Sequence, residues 1–278
     1  MTGTYSVPPT LSFSTSDSSG WGELQVSGGG RDRNPKTDQQ ILVIIPAYNE
    51  EGSVGRVVEE VKKHLPRVDI LVVNDGSADL TSVKALASGA VVLNLPFNLG
   101  IGGAMQAGYK YAYEKGYEVA VQVDADGQHD PKGIRKLLDG LNEMEVDMVI
   151  GSRFLGDSGF KSSLMRRVGI SLFSTVISAI AKQKITDPTS GFRAADRKAI
   201  QLFASNYPQD YPEPEAVVLL HQCRLKMGEA PVEMSRRYSG ESSITKIRSV
   251  YYVVKVLLAI IVDCFKKPPV LKEEEERC

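Results

Sequence analysis

The chain has 278 residues, with 33 Lys and Arg against 34 Asp and Glu, for a formal net charge of −1 at pH 7. That length accommodates one large domain or two small ones with a full core, and the near-neutral balance excludes a global electrostatic case for nucleic acid as partner. Three cysteines, Cys223, Cys264 and Cys278, show no pair at metal-ligand spacing and suit a reducing cytoplasm.

Residues 1–38 are rich in Ser, Thr, Gly and Pro without an apolar period, so they are expected to be a disordered leader rather than a secretion signal. From residue 41 short apolar runs alternate with segments of helical period, the pattern of a mostly parallel sheet with crossover helices. "ILVII" (41–45) reads as the first strand, and Val54, Val57, Val58, Val61 and Leu65 share one face of the helix after it. "DILVVN" (69–74) is the second strand, followed by a helix over about 79–88 that stops at Gly89. "AVVLNL" (90–95) is the third, then a helix over about 102–115, and "EVAVQV" (118–123) is the fourth. Asp130 and Pro131 are expected to open the next helix as cap and first position, ahead of a fifth strand, "VDMVIG" (146–151).

The second half is expected to hold a long helix (162–182), a loop "TDPTSGFRA" (186–194), a helix (196–204), an acidic turn entering a helix (211–228) and a returning strand (230–238). The last apolar stretch, 249–265, is cut by Lys255 and Asp263. A bilayer crossing needs about 20 predominantly apolar residues. An amphipathic helix resting on the core, a second copy or a membrane surface is therefore expected. The division is a leader (1–38), a single catalytic domain (39–243), an amphipathic C-terminal helix (244–265) and a charged tail (266–278).

Ligands of open parallel sheets bind beyond the carboxyl ends of the strands, and four polar loops fall at that edge: "PAYNEE" (46–51), "NDGSAD" (74–79), "PFNLGIGGA" (96–104) and "DADGQHD" (124–130). Singly, each has a plain reading as a turn or helix cap. Gly100, Gly102 and Gly103 lack the third glycine and the first-strand position of a dinucleotide fingerprint. The Asp cluster is not an EF-hand, because its glycine comes too early and Arg135 stands where the final Glu belongs. With Asp130 assigned to a helix cap, Asp124 and Asp126 remain, flanking Ala125, and strand alternation would turn both to one side. Such hard oxygen ligands suit Mg²⁺ or Mn²⁺ shared with a substrate's phosphates. His129 is expected at the surface or behind the ligands.

The ordered set "IPAYNEE", "VVNDGSAD", "NLGIGGA", "VDADGQHDP", "GSRF" and "DPTSGFRA" resembles the family 2 inverting glycosyltransferases of GT-A fold. Within them it looks most like the dolichyl-phosphate mannosyltransferase and polyprenyl-phosphate glycosyltransferase branch. The resemblance spans roughly residues 40–240 and implies a UDP- or GDP-sugar donor and a divalent metal. It places Pro46, Ala47, Tyr48 and Glu50 around the nucleoside, Asp75 on base or ribose, and Gly100 beside the donor. Asp124, Ala125 and Asp126 would handle metal and diphosphate with Gln128 beside them, and Arg153 would face the donor. The family's later basic motif is similar to "RYSGESS", giving Arg237, with Ser243 where a Lys is usual.

Transfer with inversion is a single displacement, so the acceptor decides whether a base is needed. A hydroxyl needs one, for which Glu213 and Glu215 are the candidates. A lipid phosphate, with a second pKa near 6, is already largely dianionic. The leading expectation is transfer to a polyprenyl or dolichyl phosphate by a cytoplasmic enzyme peripheral to the membrane, with a sugar hydroxyl or growing glycan as the other acceptor and a silent sugar-nucleotide-binding subunit as the non-enzymatic reading. Residues 244–265 are expected to serve a membrane contact or a homo-oligomer.

Overall fold

The structure, a computed structural model, describes residues 40–155, 164–235 and 246–269. The leader, Arg237 with the rest of its motif, and the tail beyond 269 lie outside the described residues.

The elements run β1 (Ile41–Ala47), α1 (Val54–His64), β2 (Asp69–Asn74), α2 (Thr81–Ala87), β3 (Val91–Asn94), α3 (Gly100–Glu114), β4 (Val119–Gln122), α4 (Gly133–Glu143), β5 (Met148–Ser152), α5 (Leu164–Ala181), β6 (Arg193–Asp196), α6 (Arg197–Ser205), α7 (Pro212–Gln222), β7 (Met227–Pro231) and α8 (Lys246–Phe265). One seven-stranded sheet has the order β3-β2-β1-β4-β6-β5-β7. β1 pairs in parallel with β2 and β4, β2 with β3, and β5 with β7. β6 is antiparallel to both β4 and β5.

The apolar runs are buried on both faces, as parallel strands between helix layers must be. Val43, Ile45, Val72 and Val121 join Val54, Val57, Val58 and Val61 of α1 and Ile134, Leu137 and Leu141 of α4 in one cluster. The alternate residues Leu42, Ile44 and Leu71 are buried on the other face, where α3 packs on β1, β2 and α6. Lys62, Lys63 and His64 in the last turn of α1 complement its C-terminal partial charge.

Three expectations are corrected. The segment expected as a loop over 186–194 ends in β6, whose four residues "RAAD" carry no β-branched or aromatic side chain. Its strand character comes from filling the gap between β4 and β5. The returning strand is 227–231 rather than 230–238, because α7 stops at Gln222 and Arg224 turns the chain with a φ of 59°. Third, α3 begins at Gly100, two residues before the expected start. A Cβ at Gly102 would stand 2.5 Å from the Pro208 carbonyl oxygen, so the glycine is needed for close packing on the 206–211 loop.

Candidate active site

The sheet order reverses at β1 and β4, and the crevice beyond their carboxyl ends is the expected ligand site. Because β6 runs antiparallel to β4, its first residue, Arg193, pairs with the last of β4, Gln122. That pairing delivers the 186–192 loop to the same edge.

Pro46 and Ala47 end β1 and are buried, whereas Tyr48 is half-exposed at the edge. The two following loops are laced together. Asn49 N donates to Ser77 Oγ, Ala78 N to Asn49 Oδ1, and Glu50 N to Thr81 Oγ1. The Glu50 carboxylate accepts from Ser53 Oγ at the start of α1. Asp75, expected on base or ribose, is buried and has another duty. Its Oδ1 accepts from Leu99 N at 2.7 Å and its Oδ2 from Gly100 N at 2.9 Å, satisfying two N–H groups at the head of α3. Asp75 and Gly100 thus fix a loop that borders the crevice.

Strand β4 stops at Gln122, so Asp124, Ala125 and Asp126 occupy a turn rather than an alternating strand. The two carboxylates differ in environment. Asp126 is buried, with Oδ1 accepting from Gln128 N at 2.9 Å, while the Asp124 side chain is 37% exposed. Ala125 is packed into the core and holds the turn down. His129 is buried, stacked on Phe192 at 4.7 Å. Its Nδ1 accepts from Asp124 N at 3.0 Å, which leaves the ring proton on Nε2, 3.5 Å from Asp124 Oδ2. His129 therefore orients Asp124 from behind. Asp130 accepts from Lys132 N, but α4 begins at Gly133, two residues later than expected from Pro131.

Among the described residues no group of three or more His, Cys, Asp or Glu side chains surrounds a metal position. Two hard carboxylates at a strand edge nonetheless fit Mg²⁺ or Mn²⁺, which are commonly held by one or two carboxylates plus substrate phosphates. Gly191 lies against Asp124 and Gln122, since a Cβ there would stand 2.9 Å from Gln122 Nε2 and 3.3 Å from Asp124 Oδ1.

Arg153, expected to face the donor, is instead buried in a bidentate pair. Its Nε and Nη2 donate to Asp187 Oδ2 and Oδ1, both at 2.6 Å, and its backbone N also donates to Asp187. Glu229 on β7 completes the assembly, accepting from Thr186 N and Asp187 N. Arg153 therefore braces the 186–192 loop. Asp187, Glu229 and the buried Arg193 were not among the sequence-derived candidates; the "DPTSGFRA" motif marked the region of Asp187 and Arg193, and no motif marked Glu229.

The two candidate bases part company. Glu213 is part-buried at the head of α7, and burial raises its pKa, Arg193 opposes the rise, and Asp124 adds to it. Its electrostatic neighbours are thus those of the Asp-Ala-Asp turn. Glu215 faces the opposite way, into a groove of about 950 Å³ between the 206–211 loop, α7 and α8. Burial, then Asp263 and Asp210, push its pKa up to about 7, against Lys266. The neighbours of Glu215 are therefore those of this groove, whereas those of Glu213 include Asp124.

The ionisation of Glu215 bears on stability. The folded pKa lies above the ordinary glutamate value of 4.5, so Glu215's contribution is full below about 4.5 and is lost as pH rises through about 7. Glu215→Gln is expected to raise the melting temperature at pH 8 and flatten its dependence between those values. Parallel profiles for variant and wild type would show that the group does not couple to folding.

A family model described as Glycosyl transferase family 2 matches residues 42–203. The "UDP-N-acetylglucosamine-dolichyl-phosphate N-acetylglucosaminyltransferase" of Methanococcus voltae is 32% identical over 216 residues, 70% of this chain and 86% of that protein. The "Undecaprenyl-phosphate mannosyltransferase" of Micrococcus luteus is 31% identical over 215 residues, 74% and 88% of the two chains. A crystal structure of glucosyl-3-phosphoglycerate synthase from Mycobacterium tuberculosis with Mn²⁺, UDP-glucose and phosphoglyceric acid is similar in fold, with a TM-score of 0.63 at 19% identity over 84% of this chain and 81% of that one. With the family match spanning β1 to α6, and so every strand that builds the crevice, this chain belongs to glycosyl transferase family 2 and is a glycosyltransferase of GT-A fold.

Proposed function

We propose that the chain transfers a glycosyl group with inversion from a UDP- or GDP-sugar, its diphosphate held with Mg²⁺ or Mn²⁺ at Asp124 and Asp126. The observation that carries this reading is the position of that carboxylate pair at the β1/β4 switch point. The Mn²⁺ and UDP-glucose named for the Mycobacterium tuberculosis structure support it. The ion would offset charge gathering on the departing diphosphate. The chain's own part is to orient Asp124 through His129, hold the Asp126 turn through Gln128 N, and shape the crevice with the 186–192 loop.

The acceptor we infer is a phosphate monoester, the group shared by the dolichyl phosphate and undecaprenyl phosphate named for the relatives and the phosphoglyceric acid named for the structural neighbour. A lipid phosphate would attack through its own oxygen. It would also draw on α8, which exposes Leu258, Ile261, Val262 and Phe265 beside Lys266, although no helix among the described residues is long and apolar enough to cross a membrane. A second reading, attack by a hydroxyl, is favoured by Glu213, whose raised pKa and exposure to the field of Asp124 suit a general base. Glu213→Gln separates them. Under hydroxyl attack, turnover is expected to fall by 10²–10⁴-fold while calorimetric binding of the sugar nucleotide with Mn²⁺ survives. Undiminished transfer to polyprenyl phosphate in liposomes would instead favour the lipid reading, and flotation of the protein with those liposomes is expected alongside it.

A further inference from the structure

Two buried polar atoms among the described residues have no hydrogen-bond partner, Gln122 Oε1 and Arg193 Nη1. They belong to residues directly opposite in the β4/β6 register, so both side chains stand on the same face of the sheet. Each is only 1% exposed. The remaining atoms of both groups are committed. Arg193 Nε donates to Ser190 O at 2.7 Å and Nη2 to Pro188 O at 2.9 Å. Gln122 Nε2 lies 3.5 Å from Asp124 Oδ1, which fixes the amide's orientation, since the reverse would set oxygen against carboxylate.

An unsatisfied buried donor and an unsatisfied buried acceptor are costly, and their occurrence as neighbours calls for an explanation. Their position supplies one. Gln122 is the residue from which the Asp-Ala-Asp turn departs, Gly191 keeps its backbone against both Gln122 and Asp124, and Arg193 bears electrostatically on Glu213, which also feels Asp124. Gln122 thus adjoins Asp124 and Arg193 bears on Glu213, so the two atoms belong to the neighbourhood in which the donor's sugar would sit. A phosphate or carboxylate would satisfy Arg193 alone, because it only accepts. A hydroxyl accepts from Nη1–H and donates to Oε1 at once.

We propose that Gln122 Oε1 and Arg193 Nη1 form a subsite for one hydroxyl of the donor's sugar, and so help to set which sugar is transferred. This rests on the reading of the chain as a sugar-nucleotide transferase. Gln122→Met conserves volume and removes the acceptor; Arg193→Lys keeps the charge and changes the donor geometry. Calorimetric titration with Mn²⁺ of UDP, GDP, UDP-glucose, UDP-N-acetylglucosamine and GDP-mannose, with their single-deoxy analogues, reads the effect. Each variant is expected to bind the preferred sugar nucleotide roughly tenfold more weakly, to bind the parent nucleoside diphosphate as wild type does, and to lose no further affinity for the one analogue lacking the recognised hydroxyl. Equal weakening of sugar nucleotide and nucleoside diphosphate would overturn the subsite. So would a lowered melting temperature with unchanged ligand preference, which would leave the pair holding a buried water or each other. If wild type binds no nucleotide, the functional reading itself fails.

Discussion

Asp126→Ala is expected to reduce glycosyl transfer by on the order of 10³-fold, about 4 kcal/mol of transition-state stabilisation, and to abolish metal-dependent binding of the sugar nucleotide. Asp126 offers a buried carboxylate, so a cation shared with the diphosphate would interact with it in a medium of low effective dielectric. The substitution also removes the acceptor for Gln128 N, a separate loss of about 1 kcal/mol. Asp126→Asn separates the two, because its amide oxygen still accepts from Gln128 N while the charge is gone. Both variants are expected to fail alike in a nucleoside diphosphate release assay run with acceptor and Mn²⁺, with circular dichroism melts near wild type for Asp126→Asn. Retained turnover in Asp126→Asn would place the metal, or the need for it, elsewhere.

The crevice was legible in the sequence because local signals agree there. Apolar runs such as "ILVII" and "DILVVN" can be buried only as strands between helices, and the polar residues that follow them fall at one sheet edge once the strands are parallel. The division of labour among those residues was not legible, because it depends on partners far along the chain. Asp75 meets the amide groups of Leu99 and Gly100, and Arg153 meets Asp187, 34 positions away. Glu213 and Glu215 are alike in type and two positions apart, yet the helical turn sends one toward Asp124 and the other toward Asp263. β6 was missed for the same reason: "RAAD" has no strand signal of its own, and its pairing with Gln122 makes Arg193 a buried residue of the site.

Removing one member of the Arg153–Asp187 pair is the largest stability change the structure leads us to expect. Asp187 is fully buried and Arg153 is 5% exposed. Asp187→Ala would strand a guanidinium that now makes two 2.6 Å hydrogen bonds to one carboxylate. Breaking such a buried pair from one side costs roughly 3–5 kcal/mol, or about 6–20 °C in melting temperature for a domain of this size. Thr186 and Asp187 also donate their backbone N–H groups to Glu229, so the loop keeps an attachment to β7 and the loss is expected to be of stability and loop position together. Replacing both members by apolar residues of similar volume, as in Arg153→Met with Asp187→Leu, is expected to recover much of the melting temperature, because no unpaired charge is left buried. Activity is expected to remain low in that double variant, since the segment from Asp187 to Arg193 sets Gly191 against Asp124. Recovery of full activity along with stability would show that the pair serves folding alone.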